Sequence, residues 1–265
     1  MQEAPRRFML ATGDYGPFEG DPADRVVFGS YRATGTWSPE IVALIARLLR
    51  SGGTLIDVGA NIGLVAIGTL QRCAARCIAF EPAPDNNALL CRNVARHGLR
   101  ERIESRALAL DDTAGEITLA LCADNSGDHR LLHGAAPPGR HCVSVRATTL
   151  DEALAGRMLG RPALLKIDAQ GAEARVLRGA RGVLEQVDYA IVEWWPAGLL
   201  RMGDSTQALF SELGAFTHAA LLDQHGPPRA LRRSSELFEQ LAWIPSDGSD
   251  EGFFDLLLSR SPRLP

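Results

Sequence analysis

The sequence predicts an α/β protein with one mostly parallel, doubly wound sheet. Three observations carry that expectation. Short apolar runs of strand length recur, as at 54–58, 76–80 and 163–167. Segments with apolar residues at helical spacing separate them, and Gly or Pro marks most junctions. A length of 265 residues suits one such domain with an N-terminal extension, enough to bury a continuous core.

Residues 1–37 are rich in Gly, Pro and Asp, with one expected strand at 25–28, and read as an irregular arm or lid. Residues 38–265 read as the main domain. Ser38 stands as a helix N-cap before Pro39, and Ile41, Leu44, Ile45, Leu48 and Leu49 repeat at helical spacing until Gly52-Gly53 stops the helix. Strand 54–58 leads into a helix at 62–72, and strand 76–80 into a helix at 84–97 closed by Gly98. A third strand is expected at 103–110, an edge or hairpin strand at 116–122, a polar loop at 124–140, a short strand at 143–146 and a short helix at 150–159. Strand 163–167 precedes a helix at 172–184. A strand at 189–192, a helix at 199–213 and a strand at 216–222 come next. After the polar stretch around Pro227-Pro228, a short helix near 236–241 and a last strand at 253–258 finish the chain. The final two strands lack a long helix between them, which suits an antiparallel hairpin at the sheet edge.

The formal net charge of -4 gives no basic footprint for nucleic acid. No apolar run approaches membrane-spanning length, and the first twenty residues lack the apolar core of a signal peptide. The expectation is therefore a cytoplasmic protein with a small-molecule partner, and with neither a nucleic-acid nor a membrane partner. Oligomeric state is not legible. Cys73, Cys77, Cys91, Cys122 and Cys142 match neither a zinc spacing nor a disulfide framework, so they read as reduced thiols.

The informative segment is Asp57-Val58-Gly59-Ala60-Asn61-Ile62-Gly63. A buried strand delivers an acid at its end, and glycines turn the chain into a helix where open α/β sheets bind ligands. The Gly-x-x-x-Gly spacing differs from the Gly-x-Gly-x-x-Gly that seats a dinucleotide pyrophosphate. S-adenosylmethionine carries no phosphate; Asp57 suits its ammonium and the helix N-terminus its carboxylate. Glu81, ending the second strand about 20 residues beyond the glycine loop, suits the two ribose hydroxyls.

With these residues the sequence resembles the FkbM family of S-adenosylmethionine-dependent methyltransferases. Asp57 to Gly63 and Phe80-Glu81-Pro82 match its first hallmark, and Leu165-Lys166-Ile167-Asp168-Ala169-Gln170-Gly171-Ala172-Glu173 its second, followed by Leu177 and Gly179-Ala180. Ala109-Leu110-Asp111-Asp112, Gly115-Glu116 and Thr149-Leu150-Asp151 also fit. Ala169 stands where valine is commoner. The resemblance covers residues 52–193. It implies a Rossmann-like class I methyltransferase fold, seven-stranded with an antiparallel last strand, and O-methylation of a sugar or specialised metabolite in natural-product biosynthesis. The cofactor-binding candidates are Asp57, Gly59, Asn61, Gly63, Glu81, Pro82, Asn86, Ala109, Asp111 and Asp168.

Methyl transfer to a hydroxyl needs alignment of the acceptor and a base for its proton. Asp168 is the first catalytic candidate; as an alternative it caps the helix starting near Gly171, a role worth about 1 kcal/mol. Glu173, in that helix's first turn, reads as a structural acid. Glu193, before Trp194-Trp195-Pro196, is a second candidate beside aromatic surface for the acceptor, although the tryptophans also suit a core. His129, on the 124–130 loop, is the third, as a base titrating near neutrality. His133, His141, His218 and His225 read as ordinary polar residues. Tyr31 and Trp37 suit either a lid or simple packing. Two acids, Asp168 and Glu193, make too thin a set to expect a metal. The alternatives are a NAD(P)-dependent oxidoreductase and a non-catalytic nucleotide-binding module on a similar sheet. A nucleic-acid methyltransferase is disfavoured, because Asp168-Ala169-Gln170-Gly171 stands where an Asn/Asp-Pro-Pro-aromatic segment would mark an adenine enzyme.

Overall fold

The computed structural model describes residues 8–134, 139–222, 230–244 and 252–265. His225 and Pro227-Pro228 lie outside them. The strands are β1 (Met9–Gly13), β2 (Gly16–Gly20), β3 (Thr54–Val58), β4 (Arg76–Phe80), β5 (Ile103–Arg106), β6 (Ala109–Leu110), β7 (Gly115–Leu121), β8 (Arg130–Leu132), β9 (His141–Thr148), β10 (Ala163–Ile167), β11 (Tyr189–Trp194), β12 (His218–Leu222), β13 (Arg232–Arg233) and β14 (Phe254–Ser259). The helices are α1 (Val27–Thr34), α2 (Pro39–Leu48), α3 (Leu64–Leu70), α4 (Pro84–Arg96), α5 (Leu150–Ala153), α6 (Glu173–Arg178), α7 (Arg181–Leu184), α8 (Pro196–Arg201), α9 (Thr206–Glu212) and α10 (Ser234–Ala242), with a 3₁₀ turn at Ser126–Asp128.

The main sheet runs β13-β12-β14-β11-β10-β3-β4-β5. The β5-β4-β3-β10-β11 part is parallel, while β14 lies antiparallel between β11 and β12. Seven strands with an antiparallel last one are therefore present, plus the two-residue β13 at the edge. β3, β10 and four of the five β4 residues are buried, as helix-covered parallel strands require. From β3 the chain adds strands on one side through β4 and β5, then on the other through β10. That reversal puts a topological switch point between β3 and β10, where a ligand crevice opens beyond the strand ends. The amino end of β14 reaches the same edge, because it runs opposite to its neighbours.

A second sheet, β6-β9-β7-β8, comes from the chain between β5 and β10. It absorbs part of the expected third strand: the chain leaves the main sheet after Arg106, and Ala109-Leu110 pair instead with Ala147-Thr148. It also includes β8, inside the segment expected to be a loop.

The arm is more ordered than expected. β1 and β2 form an antiparallel hairpin, and the segment expected as a strand at 25–28 instead enters helix α1. Asp24 drives this, its carboxylate accepting from the amides of Val26, Val27 and Phe28. Tyr15, Phe18, Phe28 and Tyr31 are fully buried and join one core with α2 and α3. Tyr31, weighed above as a lid residue, stacks on Tyr15 and donates to the Gly16 carbonyl at 2.6 Å, so it is packing.

Several helices are shorter than expected. The 62–72 segment starts at Leu64, because Gly63 precedes it in a left-handed conformation, φ 93°. The 172–184 segment breaks at Gly179-Ala180, where the Gly179 carbonyl accepts from the Asp151 amide and the chain passes against the Asp111 carbonyl. The 199–213 segment breaks at Gly203, φ 75°, and Ser205 caps the second half through the Ala208 amide. Helix α5 covers only the first turn of 150–159. Ser38 holds the N-cap position of α2 but makes no side-chain cap bond; its backbone is left-handed. No described helix is long and apolar enough to cross a membrane.

Candidate active site

The crevice at the switch point is lined by the glycine turn, the ends of β4 and β10, the start of β14, and a roof from the arm and the second sheet. Gly59 and Ala60 both donate to the Phe80 carbonyl, which holds the turn against β4. Gly59 has φ 77°, and a Cβ there would lie 1.9 Å from the Asp168 carbonyl oxygen, so a side chain is excluded. Ser38, Asn61 and Gln170 are the non-glycine residues with positive φ among the described residues, and all three line this cavity. Strained backbone gathered at one place marks a functional site.

Glu81 braces the turn. One carboxylate oxygen accepts from the Asn61 amide at 2.8 Å and the other from the Ala83 amide at 2.9 Å, which leaves lone pairs for a further donor. Burial pushes its pKa up to about 7, against those two amides.

Asp57 is fully buried, and neither of its oxygens has a hydrogen-bond partner among the described residues. Its neighbour is Lys166, opposite it in the register, with the ammonium 3.3 Å away but not aligned for a hydrogen bond. The same ammonium lies 3.6 Å from Asp168. Burial alone would lower the Lys166 pKa, but Asp57, Asp168 and Asp255 outweigh it and keep the lysine charged. Burial raises Asp57 against the pull of Lys166.

Asp168 ends β10 and faces the cavity. It is no helix cap, since Ala172 holds that position; its Oδ1 accepts from Gln170 Nε2 at 3.0 Å. Glu173 is structural, accepting from the amides of Ala169 and Gly171, with burial pushing its pKa up to about 7.

The roof hangs on Ser126. Its carbonyl accepts from Asn61 Nδ2 and Asn86 Nδ2, and its hydroxyl donates to Asp24 of the arm at 2.6 Å. Val27, Trp37, Ser38 and Ile41 from the arm side, with Leu119 and Leu131 from the second sheet and His129 just before β8, complete the enclosure.

The cavity lining thus includes Asp57, Gly59, Asn61, Glu81, Pro82, Ala109, Asp168 and His129 from the sequence expectations. Four expected residues stand elsewhere. Gly63 shapes the turn from behind, and a Cβ there would lie 2.7 Å from Leu90 Cδ1. Asn86 braces Ser126 from α4. Asp111 lies outside the lining, paired with Arg175 at 2.6 Å and in contact with His133 Nε2 at 2.8 Å. Glu193 sits behind the wall, accepting from Gln170 Nε2 at 3.4 Å, and burial raises its pKa well above the usual range.

His129 lines the cavity but does not suit a base. Its Nδ1 accepts from the Cys122 amide at 3.1 Å, so the neutral ring carries its proton on Nε2. Trp194 and Trp195 provide no acceptor surface. Trp194 packs with Phe210 and Phe254 and donates to Thr206, while Trp195 is buried under Arg130 and Arg201.

Sequence reasoning missed Lys166, Ser126 and Asp255 as site residues. Lys166 had one signal, a charge inside an apolar strand two residues before an acid. Asp255 had none nearby. Among the described residues, no group of three or more His, Cys, Asp or Glu side chains is placed to hold a metal ion.

These residues fit S-adenosylmethionine. The two oxygens of Asp57, which accept no hydrogen bond among the described residues, suit a donor ammonium, the spare lone pairs of Glu81 suit ribose hydroxyls, and Gly59 leaves room for close backbone approach.

An acid at the end of β3, a glycine turn, and an acid at the end of β4, on a seven-stranded sheet with one antiparallel strand, make up the fold and cofactor crevice of the S-adenosylmethionine-dependent methyltransferase class. Within that class the chain belongs to the FkbM methyltransferase family: residues 57–214 match the methyltransferase FkbM domain. It is similar to methyltransferase sdnD of Sordaria araneosa, 28% identical over 57% of this chain and 70% of that protein. Hexuronic acid methyltransferase AglP of Haloferax volcanii is 26% identical over 58% of this chain and 61% of its own length. The 31-O-demethyl-FK506 methyltransferase FkbM of Streptomyces tacrolimicus is 28% identical over 49% of this chain and 60% of its own length. The chain thus spans about three fifths of two of these relatives. Among solved structures, a methyltransferase FkbM from Methylobacillus flagellatus KT aligns at TM-score 0.45 and 16% identity, covering 78% of this chain and 43% of that one.

Proposed function

We propose that the protein methylates a hydroxyl of a small molecule, a sugar or specialised metabolite, with S-adenosylmethionine as donor. When bound, that compound supplies a methyl group already activated by its sulfonium. Asp57 holds the ammonium, Glu81 the ribose hydroxyls, and Asn61, Pro82 and Ala109 the walls around them. Asp168 orients the acceptor from the end of β10. Gln170 links Asp168 to Glu193, so Glu193 acts as a positioning residue, and His129 helps shape the acceptor side. The described part of the arm, residues 8–37, covers the cavity of the methyltransferase domain, with Val27 and Trp37 in its lining.

The observation that carries this reading is the fully buried Asp57, paired with Lys166 but accepting no hydrogen bond among the described residues, beside the turn that Glu81 braces. Its relatives methylate, by their names, a hexuronic acid and a demethylated FK506, which supports a small-molecule acceptor with a hydroxyl.

The test is a crystal structure with S-adenosylhomocysteine, together with the Asp168→Ala variant. The ribose is expected on Glu81 and the sulfur facing the Asp168 side of the cavity. Asp168→Ala is expected to abolish turnover while cofactor affinity falls much less. A ribose turned away from Glu81 would refute the assignment, and full activity in the variant would remove Asp168 from the mechanism.

A further inference from the structure

β14 brings a carboxylate to the site from outside the family-matched segment. Asp255 is the second residue of the described stretch of β14, opposite Glu193 of β11 in the antiparallel register. Its side chain lines the same cavity as Asp57, Lys166 and Asp168. Glu81 follows β4 and Asp255 lies on β14, with β3, β10 and β11 between those strands, so the two acids stand on opposite sides of the cavity. If Glu81 takes the ribose and Asp57 the ammonium, the region between Asp168 and Asp255 is left for the acceptor.

The two carboxylates at that end differ in their partners. Asp168 is committed on both sides, with Gln170 donating to Oδ1 and the Lys166 ammonium 3.6 Å from Oδ2. Both contacts occupy the oxygens of Asp168 and fix its orientation. Asp255 is half-buried, and the charges facing it are Asp168 and Lys166 at the end of β10, with Glu193 beside it on β11. No hydrogen bond ties its carboxylate among the described residues.

We propose that Asp255 is the base of the reaction and that Asp168, held by Lys166 and Gln170, positions the acceptor hydroxyl between them. The inference rests on the cofactor reading above. In the step, an acceptor oxygen lone pair forms the new O–C bond to the methyl carbon. The S–C bond breaks, its electron pair stays on sulfur, and the sulfonium becomes the neutral thioether. The acceptor proton passes to Asp255, which then releases it to water. Burial and the nearby Asp168 charge push the Asp255 pKa up to about 6, closer to neutrality than an ordinary aspartate, which suits a general base.

The test needs no acceptor. Sinefungin resembles S-adenosylhomocysteine but carries a primary amine where the methyl group would sit, so its ammonium reports a carboxylate at the transfer position. Calorimetric titrations compare the two compounds on the wild-type protein and on Asp255→Asn. At about pH 7.5 the wild type is expected to prefer sinefungin by about tenfold, and Asp255→Asn to keep S-adenosylhomocysteine binding while the preference shrinks below about threefold. In the wild type the preference is expected to fade as pH drops through about 6, where Asp255 takes up a proton. This pH series needs no variant, so it stands even if Asp255→Asn fails to fold. An undiminished preference in Asp255→Asn, or one that ignores pH in the wild type, would overturn the assignment. A wild-type protein that binds neither compound would overturn the cofactor reading itself.

Discussion

Lys166 and Asp57 face each other across the β10–β3 register, with 3.3 Å between ammonium and carboxylate and both side chains buried. The pair sits at the switch point, where the two halves of the sheet diverge, so one lysine neutralises an acid that also faces the cavity. Lys166 thereby offsets part of the cost of burying the Asp57 carboxylate.

Removing the lysine leaves that charge uncompensated. Lys166→Met is expected to lower unfolding stability by about 3–5 kcal/mol near neutral pH, the cost of breaking a buried pair from one side. The deficit shrinks as pH falls through the folded pKa of Asp57, already raised by burial, because a protonated Asp57 needs no counter-charge. Denaturant melts of both proteins across acidic and neutral pH check this. A deficit that grows on acidification would contradict it.

Glu81 makes cofactor binding pH-dependent. Its carboxylate must be ionised to accept two hydroxyls, and in the free protein it titrates at about 7. Binding favours the anion, so its pKa falls in the complex and a proton is released. Affinity for S-adenosylhomocysteine is therefore expected to rise with pH, by up to about tenfold between about pH 6 and 8, and to level off above. Titrations in buffers of different ionisation enthalpy detect the proton. Glu81→Gln is expected to bind more weakly and to lose this dependence.

Much of this site was legible because it is local in sequence. Asp57 and Glu81 each end a strand, and each is followed at once by the turn that exposes it, so periodicity and glycine placement located both. The main-sheet strands were read to within a few residues for the same reason, apart from the third and the two-residue β13, which was not read at all. Non-local features were hidden. A lysine inside β10 reads as an outward residue until β3 is known to lie beside it. Asp255 reaches the cavity only because β14 inserts antiparallel between β11 and β12. Asp111 matched a family pattern, yet Arg175 and His133, remote in sequence, claim its carboxylate. The arm looked irregular because four aromatic residues spread over residues 15–31 order it by packing on α2 and α3, not by local pattern.

Ser126 ties the arm to the glycine loop through Asp24 and Asn61. Ser126→Ala removes a hydrogen bond to a carboxylate, a contact worth about 1.5–3 kcal/mol, while the backbone carbonyl contacts persist. Dissociation of S-adenosylhomocysteine is expected to quicken by about tenfold, measured by stopped-flow displacement, with association changed far less. An unchanged dissociation rate would remove the arm from any lid role.

Gly59→Ala tests the close approach of β3 to the chain after β10. The new Cβ would meet the Asp168 carbonyl, a backbone atom unable to swing aside, and the position has positive φ. A loss of at least about 2 kcal/mol is expected, a fall of about 4 °C or more in melting temperature for a chain of this size. Wild-type stability in this variant would show that the turn is looser than described.

The central claim, that Asp57 and Glu81 form a site for a sulfonium nucleoside, meets its most direct test in one calorimetric comparison of S-adenosylhomocysteine with NAD on the wild-type protein. Saturable binding of the thioether nucleoside, with NAD at least about a hundredfold weaker, is the predicted result. Preferential binding of NAD, or no heat from the thioether at saturating concentration, would contradict it.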